Sequence, residues 1–328
     1  MLGVELYQQR IRTRTQVQNF CDNHENNDEV ELLGIKHPVL EKLLEAGRFV
    51  CRIEYVDDEG TTETKGTGFY FGNGWIMSNQ HVLCSENEDT SDCNKLRFKF
   101  PNCEFDTRQR YCIFSHFSNS ENAISPLDDI RQDLALVKLK TDEQRALETA
   151  AGMYSFADLF AQEMPIDTQV FSIHYADSSP TTGEQCFSLA DGYICLNYTN
   201  DHNVRYTISS VHSRPGASGA PLLYWSTEHN KFLVTSVNFG ACSRSVQFMD
   251  SPSYSIAYMG YNWIQKTVGI IDEYHRARKI CAFSCHHDEC LEILTNLNQR
   301  LEQDFLRVHI PEISLELFAG LRSIIFSD

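Results

Sequence analysis

From Phe49 onward the apolar positions of the chain fall in short runs rich in aromatic and β-branched residues, separated by Gly, Asn and Asp. FVCRIEYV, GFYF, WIMSN, LRFKF, YCIFSHF and LALVKLK are such runs, and their texture predicts strands. The more polar stretch TDEQRALETAAGMYSFADLF then predicts a helical connector. A second strand series follows in QVFSIHYA, QCFSLADGYICLNY, VRYTISSV, APLLYW and KFLVTSVNFG, with Asp191-Gly192 read as a turn inside the second of them. Strands this short, with no helices between neighbours, point to sandwiches or barrels rather than a parallel sheet.

The ends differ from this middle. LYQQRIRTRTQVQNF and HPVLEKLLEAG have helical spacing, with Gly47 read as the C-terminal stop of the second and CDNHENNDEVE as a loop between them. Near the other end Leu291, Leu294, Leu301, Phe305 and Val308 approximate an amphipathic helix that Pro311 ends, and EISLELFAGLRSIIF predicts one more. The chain therefore divides into a helical leader over 1–48, a first β unit over 49–145, a connector over 146–166, a second β unit over 167–266 and a C-terminal helical extension over 267–328. The helical ends are read as cover for sheet edges or as docking elements for a partner.

Charge narrows the function classes. With 28 Lys+Arg against 45 Asp+Glu the formal charge is −17, which disfavours nucleic acid and anionic membrane surfaces as partners. No run approaches the ~20 apolar residues of a membrane helix. The opening MLGVELYQQRIRTR lacks the charge-then-apolar order of an export signal, so the expectation is a cytoplasmic protein. Its 12 cysteines are accordingly expected as thiols, and the triplet Asn197-Tyr198-Thr199 carries little weight as a glycosylation acceptor.

Three local patterns carry chemistry. In SRPGASGAPLLY, Ser218 lies between glycines ahead of a strand, where a hydroxyl stands exposed on a tight turn and the N–H groups of Gly216 and Ser218 can reach a developing oxyanion. In KGTGFYFGNGWIMSNQHVL, two strand-like pieces around Gly72-Asn73-Gly74 deliver His81 to a strand end, as suits a general base near neutral pH. In DLALVKLK, Asp133 heads an alternating strand, where a carboxylate can fix an imidazole tautomer; Asp128 and Asp129 are its rivals.

In this order and spacing the three patterns resemble those of the trypsin-like (chymotrypsin-fold) serine peptidases, from about Gly66 to Ile264. The resemblance implies a mostly β chain of two six-stranded antiparallel β-barrels with helical ends. It implies a serine endopeptidase of protein or peptide substrates, needing no cofactor and working through an acyl-enzyme. It maps the general base onto His81, its orienting carboxylate onto Asp133, the nucleophile onto Ser218 and the oxyanion hole onto the N–H groups of Gly216 and Ser218. Ala217 stands where zymogen-activated members carry an Asp, so no N-terminal trimming switch is expected. The family's usual disulfides are absent, since Cys84 is not adjacent to His81 and Arg214 replaces a bridging Cys; this is similar to the intracellular and bacterial branch. The substrate pocket maps onto His212, Ser213, Val237, Asn238, Phe239 and Gly240, and with no Asp at His212 an acidic or polar side chain is expected ahead of Lys or Arg.

The run CAFSCHHDEC offers Cys281, Cys285, His286 or His287 and Cys290, but its spacing is irregular for zinc and no metal is assigned. The competing function is an interaction module, a barrel whose catalysis has been lost. An esterase using the same three residues would need a strand-nucleophile-helix elbow, which the pattern lacks.

Overall fold

The computed structural model describes residues 11–23, 31–32, 35–72, 74–83, 95–106, 112–114, 133–151, 164–175, 187–199, 205–213, 215–242, 254–258 and 307–309. In chain order the first half holds β1 (Ile11–Thr13), α1 (Arg14–Asn23), β2 (Glu31–Leu32), β3 (Ile35–Lys36), α2 (His37–Ala46), β4 (Val50–Val56), β5 (Thr62–Gly72), β6 (Trp75–Ser78), the one-turn helix α3 (Gln80–Leu83), β7 (Leu96–Lys99), β8 (Glu104–Asp106), β9 (Cys112–Phe114) and β10 (Ala135–Lys138). Helix α4 (Thr141–Ala151) follows, then β11 (Gln169–Tyr175), β12 (Phe187–Thr199), β13 (Arg205–Ser209), β14 (Pro221–Ser226), β15 (Lys231–Cys242), β16 (Tyr254–Tyr258) and β17 (Arg307–His309).

All but β2 and β3, which pair with each other, form two curled antiparallel sheets, as expected of a chymotrypsin-like double barrel. The second runs β1-β12-β11-β14-β15-β16-β13, and a further β12–β13 pairing closes six of its strands into a ring with β1 added at β12. Closure removes the free edges that would otherwise recruit foreign strands. The first sheet runs β17-β9-β10-β6-β5-β4-β7-β8. One hydrophobic core joins both sheets, with Phe69, Trp75, Met77, Phe98 and Leu136 from the first packed in the same cluster as Phe171, Ile173, Leu223 and Phe232 from the second. Leu40, Leu43 and Leu44 of α2, at helical spacing, enter this core too, each burial contributing about 1.5–3 kcal/mol.

The structure changes several of these expectations. LYQQRIRTRTQVQNF is not helical throughout: Ile11–Thr13 pairs antiparallel with Ser188–Ala190, and the helix starts only at Arg14. The polar stretch after it ends in a strand, Glu31–Leu32, paired with Ile35–Lys36. Gly47 ends α2, as expected, but it is no left-handed cap: its φ is −62° and the chain continues into a 3-10 turn. It is glycine for space: a Cβ there would lie 2.3 Å from Phe187 Cζ. Asp191-Gly192 is likewise no turn but the middle of β12, where a Cβ on Gly192 would lie 2.4 Å from the Val211 nitrogen. Val308 belongs to β17, paired with Ile113 of β9, and not to a helix, so the first sheet gains a strand from far along the chain. The rest of that amphipathic pattern and the Cys281–Cys290 run lie outside the described residues.

Candidate active site

Sheet register brings the first two functional side chains together. β6 and β10 pair antiparallel with Ala135 opposite Ser78, so continuing the ladder past both ends sets Asp133 opposite Gln80, next to His81. There the His81 N–H donates to Asp133 Oδ1 at 3.0 Å, and His81 Nδ1 lies 2.5 Å from Asp133 Oδ2. The Asp133 carbonyl accepts from the Gln80 N–H at 3.3 Å and from Asn79 Nδ2 at 2.9 Å. These bonds hold Asp133 at a φ of +35°, a region that Asp tolerates better than most residues. Its side chain is only 7 % exposed against 34 % for His81, so the carboxylate is shielded while the imidazole remains open to a ligand. Both rival aspartates, Asp128 and Asp129, lie outside the described residues.

Ser218 sits in the turn before β14. Gly216 and Gly219 flank it at φ of +90° and +82°, conformations that glycine reaches without steric strain. Gly219 has a second reason to lack a side chain: a Cβ would lie 2.1 Å from the Thr67 carbonyl oxygen and 2.2 Å from Ser78 Oγ. The Ser218 hydroxyl donates to the Phe239 carbonyl at 3.2 Å, and the Phe239 ring stands edge-on to the His81 ring with centroids 5.8 Å apart. Gly66 marks the same convergence, since a Cβ there would be 2.8 Å from Val82, the residue after His81, and 2.9 Å from the Ser218 carbonyl. His81, Asp133 and Ser218, read from three separate motifs, thus occupy one locality where the two sheets meet.

The pocket candidates divide. His212 and Asn238 are buried, while Ser213 and Phe239 are half-buried beside the same loop. Asn238 Nδ2 donates to Ser213 Oγ at 3.2 Å and to the Ala217 carbonyl at 2.9 Å, so its amide is turned toward the Ser218 loop. Gly240 lies on β15 opposite Ile256.

Sequence reading missed Thr67, which is fully buried in β5. Its N–H donates to the Ser218 carbonyl at 2.8 Å, its hydroxyl donates to the Gly216 carbonyl at 2.7 Å, and its carbonyl accepts from Ser78 Oγ at 2.7 Å. Asn79 was missed as well, although it is fully buried and bonded to Asp133. The available signal was a polar residue pressed between glycines in KGTGF and another two places before the histidine in SNQH.

Among the described residues no group of three or more His, Cys, Asp or Glu could hold a metal ion, and no helix is long and apolar enough to cross a membrane. Cys21, Cys51, Cys103 and Cys195 are free thiols. Burial is the main cause that pushes Cys21 and Cys103 up to about 11 and Cys51 well above the ordinary thiol value.

Comparison with known proteins follows the same lines. A search of curated proteins finds no match. Crystal structures of the Rv3671c protease from M. tuberculosis align at 14 % identity with a TM-score of 0.41; the active form covers 66 % of this chain and 78 % of its own, the inactive form 67 % and 87 %. Likeness that distant carries no weight for the assignment. Residues 66–228, the span from the glycine before Thr67 to the strand after Ser218, match the trypsin-like peptidase domain. With two curled β-sheets meeting at that span, this part of the chain carries a trypsin-like peptidase domain.

Proposed function

We propose that this chain is a serine endopeptidase with Ser218 as nucleophile, His81 as general base and Asp133 as the group that orients the imidazole. The observation that carries the reading is the double hydrogen bond from His81 to Asp133, formed beside the loop that bears Ser218. Asp133 Oδ2 keeps the proton on His81 Nδ1, which leaves the lone pair on Nε2 to act as base. The Ser218 hydroxyl turns from the Phe239 carbonyl toward Nε2, a rotamer change of picoseconds to nanoseconds for an accessible side chain. Oγ then bonds to the scissile carbonyl carbon as its proton passes to Nε2, and the carbonyl oxygen takes up negative charge facing the N–H groups of Gly216 and Ser218. The C–N bond breaks as Nε2 returns the proton to the leaving amine. Water, deprotonated by the same imidazole, hydrolyses the acyl-enzyme.

Two finer readings accompany this. Ala217 is buried and carries no carboxylate to pair with a newly cut amine, so no N-terminal zymogen switch operates. His212 and Ser213 line the primary pocket and favour an acidic side chain at the cleaved position; a peptide library cleaved after Lys or Arg in preference to Glu or Asp would remove that assignment.

A labelled fluorophosphonate tests the main claim. Covalent modification of folded protein, mapped by mass spectrometry to Ser218 and lost in Ser218→Ala, is the expected result. Folded protein that takes up no label would favour the non-catalytic interaction module.

A further inference from the structure

The nucleophile loop is held from behind by two buried donors. In a trans peptide the carbonyl and the following N–H point in opposite directions, so whatever fixes the Ala217 carbonyl also aims the Ser218 N–H. Asn238 Nδ2 does this at 2.9 Å, and its second hydrogen goes to Ser213 Oγ at 3.2 Å. The Asn238 backbone is tied to the same turn, its N–H donating to the Ala220 carbonyl and its carbonyl accepting from the Gly219 N–H, both at 2.8 Å. Asn238 therefore cannot slide without carrying the loop with it.

Thr67 secures the neighbouring peptides from the opposite sheet. The Tyr175 N–H donates to Thr67 Oγ1 at 3.0 Å, so the single hydroxyl hydrogen is left for the Gly216 carbonyl, 2.7 Å away. The Thr67 N–H holds the Ser218 carbonyl at 2.8 Å. Three consecutive carbonyls, those of Gly216, Ala217 and Ser218, are thus drawn toward fixed donors, and Gly216 is kept at its φ of +90°. Released carbonyls would let these peptide planes rotate and scatter the N–H groups.

We infer that Thr67 and Asn238 are positioning residues for the oxyanion-binding N–H of Ser218: Asn238 fixes the peptide plane that carries it, and Thr67 holds the planes on either side. This rests on the reading of Ser218 as nucleophile, and it takes Asn238 out of direct substrate contact.

The test uses three variants of the full chain. Thr67→Val keeps shape and removes the hydroxyl, Thr67→Ser restores it, and Asn238→Asp replaces the amide donor with a carboxylate facing the Ala217 carbonyl. Deleting a direct oxyanion donor costs about 10²–10³-fold in kcat. Thr67→Val and Asn238→Asp, acting through the backbone, are expected to lower kcat roughly 10- to 100-fold, less than loss of a direct donor, while KM stays within about threefold. Affinity for a peptidyl boronate, which mimics the tetrahedral intermediate, should fall by the same factor as kcat, and affinity for the product peptide should not. Thr67→Ser should return to within about threefold of the parent protein, and the double variant should lose less than the product of the singles, because both act on one loop.

Folded Thr67→Val and Asn238→Asp with unchanged kcat would overturn the inference, as would equal losses in Thr67→Val and Thr67→Ser or a loss confined to KM. Should Thr67→Val fail to fold by circular dichroism, Thr67→Ala removes the same hydroxyl without the added methyl and takes its place. Parent protein that neither cleaves peptides nor takes up fluorophosphonate defeats the nucleophile reading and this inference together, whereas active parent protein with indifferent variants defeats this inference alone.

Discussion

The two sheets hold their functional residues in different ways. In the first, the hydrogen bonds around the His81–Asp133 pair are local: Asn79, Gln80 and His81 all bond to Asp133 across the ends of β6 and β10, and Phe239 of the second sheet adds an edge-on ring contact to His81. In the second, the Ser218 loop is fastened both by Asn238 of its own sheet and by Thr67 of the other. The His81–Asp133 pair draws its hydrogen bonds from one half, while the Ser218 loop depends on how the halves meet. Disturbing the seam should therefore damage the serine side first and leave the His81–Asp133 bond standing.

The largest effects should come from the chemistry itself. Ser218→Ala and His81→Ala are each expected to lower kcat by about 10⁶, and Asp133→Asn by about 10⁴ through loss of the correct tautomer, as read from steady-state cleavage of a peptide substrate. Fold should survive in all three by circular dichroism. A much smaller effect of Asp133→Asn would show that the His81–Asp133 pair is not what makes the imidazole basic.

Seam and surface glycines give the next grade. Gly219 and Gly60 share a φ of +82°, but a Cβ at Gly219 would strike the Thr67 carbonyl and Ser78 Oγ, while at Gly60 nothing lies within 4 Å. Gly219→Ala is expected to destabilise by more than about 3 kcal/mol and to abolish cleavage, since backbone has to move. Gly60→Ala should cost only the conformational strain, on the order of 1 kcal/mol, with activity intact. Equal melting temperatures for the two variants would mean that the seam yields freely, and the contrast between the halves would collapse.

Much of this arrangement was readable from the chain, and the misses have a common cause. Strands announced themselves because β-branched and aromatic residues gather locally, as in β4 and β5. His81, Asp133 and Ser218 stood out because a base, a carboxylate and a hydroxyl each sat in a distinctive short motif. What failed depended on distant neighbours. Gly192 resembles a turn glycine in sequence, yet it is small because residues 210–211 pass against it. Thr67 and Asn238 are ordinary polar residues until the fold sets them behind the Ser218 loop, 149 residues along the chain from Thr67 to Gly216. Local propensity carries no information about such meetings.

In the proposed reaction Ser218 attacks with its proton passing to His81 while the loop's N–H groups receive the oxyanion. A crystal structure of the protein with a peptidyl boronate tests it most directly. The expected result is a tetrahedral boron bonded to Ser218 Oγ, one boronate oxygen within hydrogen-bond distance of the Gly216 and Ser218 nitrogens, and the hydroxyl oxygen moved off the Phe239 carbonyl. Boronate bound elsewhere, or a Ser218 hydroxyl still bonded to Phe239 beside an unreacted ligand, would contradict it.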